Sequence, residues 1–128
     1  MRYLICLLPL LFFACGEDAP RLDCPTGLIS VGDRIILPDD TALELVRVSD
    51  NRCPCDAVCV WAGYLQATLT DGDTTLMVSD VTVSDSLGIV DAVSYRGFVI
   101  SIDDIQLKTG ECKTYYPQSD YCIGFVVE

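Results

Sequence analysis

The chain has 128 residues, a net charge of −11 from 8 basic and 19 acidic side chains, and no histidine. So anionic a surface repels phosphate backbones, and no Lys/Arg cluster offsets it locally, which excludes nucleic acid as a partner. Without imidazole there is no Ser-His or Cys-His pair, and the sequence has no glycine-rich phosphate loop or nucleophile elbow, so the expected role is non-catalytic and needs no cofactor.

The N-terminal stretch reads as an export signal. Arg2 supplies one positive charge, Tyr3 to Phe13 form a short apolar core, and Ala14 occupies the position read by a peptidase. The run is too short for a bilayer span, which needs about 20 apolar residues, and Gly16, Glu17 and Asp18 end it. Leu11-Phe12-Phe13-Ala14-Cys15 resembles the lipobox of bacterial lipoproteins, with Phe12 and Phe13 standing where Leu and a small residue are usual. That resemblance implies a signal peptide over 1–14, acyl chains on Cys15 that hold the protein to a membrane, and a bacterial cell-envelope location, with the outer membrane expected. Two or three chains make such anchoring stable, because each buried CH₂ contributes about 0.8 kcal/mol and one chain is marginal. Residues 15–23 then form the lipidated cysteine and a polar tether, and 24–128 a single domain.

From Leu28 onward, short aliphatic and β-branched runs alternate with Gly, Pro, Asp and Asn, which predicts strands. The expected strands are Leu28 to Val31, Arg34 to Leu37, Leu43 to Val48, Trp61 to Thr70, Thr74 to Val78, Tyr95 to Leu107 and Tyr121 to Val127. Asp71-Gly72-Asp73 reads as a hairpin turn rather than part of a calcium loop, since Asp-Gly tolerates left-handed geometry and no downstream bidentate Glu follows. Ser79 to Ala92 is ambiguous, with one further strand candidate at Val81 to Val83 and a loop at Ser84 to Gly88. About seven short strands in one domain predict an all-β fold, a small antiparallel β-sandwich or barrel.

The most distinctive run is Asp50-Asn51-Arg52-Cys53-Pro54-Cys55-Asp56-Ala57-Val58-Cys59-Val60-Trp61-Ala62-Gly63. It resembles a motif of small exported bacterial proteins and lipoproteins of unknown function, an Asp-Ser-Arg-Cys-Pro stretch followed by Cys-Val-Trp-Ala-Gly. Asn51 replaces the usual Ser and Cys55 is additional. The family carries no activity to transfer. Physically, a Cys53–Cys59 bridge would staple an exposed loop, Arg52 is set to pair with Asp50 or Asp56, and Trp61 is expected to feed into the core.

Once Cys6 leaves with the leader and Cys15 takes the lipid, Cys24, Cys53, Cys55, Cys59, Cys112 and Cys122 remain, an even set that suits three disulfides in an oxidising compartment. Fifteen connectivities are open. One of them joins Cys112 to Cys122 across the Lys113 to Tyr121 loop and leaves Cys24 for Cys55. The competing reading takes Cys53, Cys55 and Cys59 as a soft-metal or thiol-redox cluster, although the dithiol spacing and the missing histidine fit it poorly. Tyr115, Tyr116 and Tyr121 lie in a loop suited to contacting a protein or glycan partner, since tyrosines offer rigid contact area, and they serve equally well to cover one end of the fold.

Overall fold

The computed structural model describes residues 23–128. The expected leader, Cys15 and most of the tether lie outside the described residues. Seven strands form two antiparallel sheets: β1 (Arg34–Ile36), β2 (Ala42–Asp50), β3 (Leu65–Thr70) and β4 (Thr75–Ser79) in that order, and β5 (Ala92–Tyr95), β6 (Phe98–Leu107) and β7 (Tyr121–Val127) in the second. The fold is the expected all-β sandwich. Among the described residues no helix is long and apolar enough to cross a membrane.

Strand alternation sets the core. Leu65, Ala67 and Leu69 of β3 and Leu76 and Val78 of β4 point inward against Ile100, Tyr121 and Ile123 of the second sheet. In β2 and β6 the period of two is broken at a bulge. In β2 the register shifts between Leu45 and Arg47, so that Leu43, Leu45 and Val48 are all buried although the last pair is three residues apart. In β6 the shift falls between Ile102 and Asp104, which lets Ile105 and Leu107 pack on the same core as Ile100 and Ile102.

Several expected boundaries move. Leu28 to Val31 contributes only an isolated bridge, Ile29 to Ile123. Val81 to Val83 is not a strand, because both valines are exposed, and the chain pairs instead through Ala92–Tyr95. Tyr95 ends β5 rather than opening β6, with Arg96 and Gly97 both at positive φ in a two-residue turn. Asp71-Gly72-Asp73 is the expected turn. Asp71 Oδ1 accepts the Asp73 and Thr74 amides at 3.0 and 2.7 Å, and Gly72 has φ +102°.

The two ends of the sandwich differ in character. At one end the hairpin turns are laced together by Arg96 to Asp39 at 2.9 Å and by the Tyr95 hydroxyl donating to Asp71. At the other, where β2 and β6 end and β3 and β7 begin, lie all three disulfides: Cys24–Cys122, Cys53–Cys59 and Cys55–Cys112. The Cys53–Cys59 staple is as expected. The open alternative of Cys112–Cys122 with Cys24–Cys55 is not adopted. Cys122 is buried on β7 beside the N-terminal segment that runs along that strand, while Cys112 sits in a loop folded onto the cysteine loop.

Candidate functional site

The disulfide-rich end encloses a cleft of about 750 Å³ between the exposed edge of β2, the cysteine loop and the loop preceding β7. Val46 to Asp50 form one wall, Arg52 to Cys55 another, and Lys113 to Tyr116 with Gln118 the third, with the buried Tyr121 also in the lining. The Cys55–Cys112 bridge ties the last two together, so the cleft has a covalent brace across its rim.

A polar cluster fixes its geometry. Arg52 grips Asp50 with two side-chain hydrogen bonds, Nε to Oδ1 at 2.8 Å and Nη2 to Oδ2 at 2.7 Å, and its backbone amide adds a third at 3.1 Å. Of the two partners expected for Arg52, Asp50 is the one it takes. Asp56 instead accepts from Thr114 at 3.3 Å across the cleft mouth. The Tyr121 hydroxyl donates to Asp50 Oδ2 at 3.1 Å. Burial works to raise the Asp50 carboxyl, but the Arg52 hydrogen bonds and charge outweigh it and hold the group below 3.8. The Tyr121 phenol is pushed well above its ordinary 10, first by burial and then by the Asp50 charge.

The three tyrosines of the expected contact loop do three different things. Tyr121 is 3% exposed and belongs to the core, lining the cleft from within. Tyr116 packs edge to face on Tyr121, accepts the Lys113 amide at 2.9 Å and donates to the Glu111 carbonyl at 2.7 Å, so it shapes its own loop while one side lines the cleft. Tyr115 is 77% exposed and stands at the rim.

Two cleft residues carry no sequence signal. Gln118 sets its side-chain amide against β2, accepting the Val48 N–H and donating to the Val48 carbonyl, both at 2.7 Å, where β1 no longer covers the strand. One side chain thus does the work of a neighbouring strand at a sheet edge. Arg47 is exposed on the cleft wall and forms no ion pair among the described residues. Arg52 is paired with Asp50 and Lys113 lies 3.9 Å from Glu111, so Arg47 is the cleft cation that has no acidic partner among the described residues, the other described cations, Arg34, Arg96 and Lys108, lying elsewhere.

The soft-metal and redox set does not assemble as thiolates. Cys53 is bonded to Cys59, and Cys55 to Cys112. Among the described residues no group of three or more His, Cys, Asp or Glu side chains is arranged to hold a metal ion.

Trp61 departs from its expected place in the core and is 57% exposed. The chain arms 51–53 and 62–64 continue the β2–β3 pairing beyond the sheet, through Asn51 to Tyr64 and Cys53 to Ala62 at 2.9 Å each, and carry the tryptophan past the last core layer. Gly63 makes that extension fit. Its φ is +76°, and a Cβ there would lie 2.0 Å from the Asn51 carbonyl oxygen. The glycine of the Trp-Ala-Gly run is therefore a close-approach residue.

Fold and site together define a disulfide-stapled β-sandwich with a braced, tyrosine-lined cleft at one end that holds one unpaired arginine among the described residues. No protein-family model, curated protein or solved structure matches the chain.

Proposed function

We propose that this is a lipid-anchored protein of the bacterial envelope, held to the outer membrane by acyl chains on Cys15, whose cleft binds a protein or glycan partner without catalysis. The observation that carries the reading is the cleft itself. It has the size of a ligand site, Tyr115 and Tyr116 offer aromatic surface to it, and Arg47 presents an unneutralised guanidinium to it. A partner with an acidic group and a flat or apolar face matches that lining, as do uronic-acid sugars and acidic peptides. The leader supports export and acylation, and the bridged cysteines suit the oxidising compartment that export implies.

Amide chemical-shift mapping tests the cleft. Titration with an oligouronate and with an acidic peptide should move the Arg47, Tyr115 and Tyr116 signals for one of the two, and Arg47→Ala should abolish the response. Shifts scattered over the sheets, or a response that survives Arg47→Ala, would overturn the assignment of the cleft. Intact mass tests the anchor. Acyl chains should be present on the expressed protein and absent from Cys15→Ser.

A further inference from the structure

The tip of the cysteine loop has no role in the cleft. Val58 and Val60 are 104% and 105% exposed and Trp61 is 57% exposed, with Cys59 between them bonded to Cys53. Val58 inside the bridged loop and Val60 just past it are therefore held fully in solvent, and Trp61 beside them stays more than half exposed although one edge of its ring rests on Tyr64. Only Asp56 carries charge at this tip, since Arg52 is turned back onto Asp50.

The tip also shares an end of the molecule with the point where the N-terminal segment joins the domain. Cys24 is bonded to Cys122, its neighbour Tyr121 touches Asp50, and Asp50 leads directly into the cysteine loop. Nine residue steps separate Cys15 from Cys24, a reach of at most about 31 Å at full extension. An anchor on Cys15 thus keeps this end of the sandwich close to the bilayer.

We infer that Val58, Val60 and Trp61 dock into the interfacial layer of the membrane that carries the Cys15 anchor. The inference rests on the anchor part of the function proposed above. Tryptophan favours the headgroup layer, where an amphipathic ring has one apolar and one wet side. A stable protein interface buries about 800 Å² per partner, and these three side chains offer roughly half of that. The net charge of −11 disfavours anionic lipid, so the surface that suits the tip is zwitterionic.

Trp61 is the single tryptophan and reports its own depth. The full-length acylated protein, reconstituted in phosphatidylcholine vesicles, should show blue-shifted emission that loses most of its intensity when the lipid is brominated near the headgroup. Val58→Asp with Val60→Asp, at fully exposed positions, should restore that intensity while leaving the protein vesicle-bound. Twenty per cent phosphatidylserine should weaken the quenching, as expected for about a fifth of the headgroups turned anionic. An acylated, vesicle-bound protein with unquenched Trp61 overturns the inference alone, including the case where the ring is shielded from an aqueous quencher by a second copy. An intact mass without acyl chains removes the anchor reading and the inference with it.

Discussion

Gly63 and Gly72 both sit at positive φ, yet they answer to different constraints. Around Gly72 a Cβ would meet nothing within 4 Å, so Gly72→Ala bears only the cost of a left-handed alanine, about 1 kcal/mol. At Gly63 the same methyl would collide with the Asn51 carbonyl and with the Arg52 backbone, which cannot yield without separating the two arms that carry the tip. Gly63→Ala should therefore cost about 3 kcal/mol or more. Thermal melts of the two variants check this, at about 4 °C per kcal/mol for a domain of this size. Equal losses would show that the arms part freely. Asp50 sets a second expectation at this scale. Its carboxyl titrates below the unfolded value of about 3.9, so it contributes stability that is complete above that pH and is lost as pH falls through the folded value. Asp50→Asn should be less stable than the parent at pH 7, and the gap should close below pH 4. Tyr121→Phe, which removes one donor to that carboxylate, should cost about 1.5 kcal/mol at neutral pH and less in acid.

At the scale of elements, what could be read in advance followed the hydrophobic period. β7 matches its expected bounds, and β3 and β4 follow from Leu65, Ala67, Leu69 and Leu76, Val78. The bulges are legible in retrospect as three-residue gaps in a two-residue rhythm, Leu45 to Val48 and Ile102 to Ile105. Tyr95-Arg96-Gly97 was not legible as a turn, because arginine at positive φ is unusual and its partner, Asp39, lies far off in sequence. Trp61 misled for a related reason. A lone tryptophan beside a strand suggests a core residue, and only the length of the paired arms puts it beyond the core. Gln118 had no pattern at all, since a side chain that satisfies a distant backbone is invisible until the chain is folded. Its removal is a direct test of edge coverage. Gln118→Ala leaves the Val48 N–H and C=O without their protein partners and should cost about 1 kcal/mol, with water recovering part of the loss at this half-open edge. Hydrogen exchange at Val48 should quicken, while Leu45, paired with Asp33 and Gly32, should not change.

For the molecule as a whole, the disulfides divide stability by the chain they enclose. Cys24–Cys122 spans 98 residues of sequence, Cys55–Cys112 spans 57 and Cys53–Cys59 spans 6. Chain entropy alone would assign these bridges roughly 4.7, 4.2 and 2.2 kcal/mol at 25 °C. The first two values cannot both be realised by single removals. The 55–112 loop is nested inside the 24–122 loop, so whichever bridge remains still restricts most of the same segment of the unfolded chain. The serine pair at 24 and 122 frees the long N-terminal arm and the start of β7 and should be the most destabilised. The pair at 55 and 112 should lose less than its nominal value, and the pair at 53 and 59 should lose the least stability while still loosening the apolar tip. Urea unfolding of the three paired variants measures this order directly, provided each is first shown by non-reducing alkylation to have kept its other two bridges. The position of the bridges sharpens the test. All three gather at the cleft end, whereas the opposite end depends on Arg96–Asp39 and Tyr95–Asp71. If chain entropy governs, losing the 55–112 bridge should lower global stability and leave exchange protection at the hairpin end unchanged relative to the core. If the bridge acts mainly as a native-state brace, protection should instead fall first at Val48, Tyr116 and the other residues around the cleft, and the urea midpoint should move little.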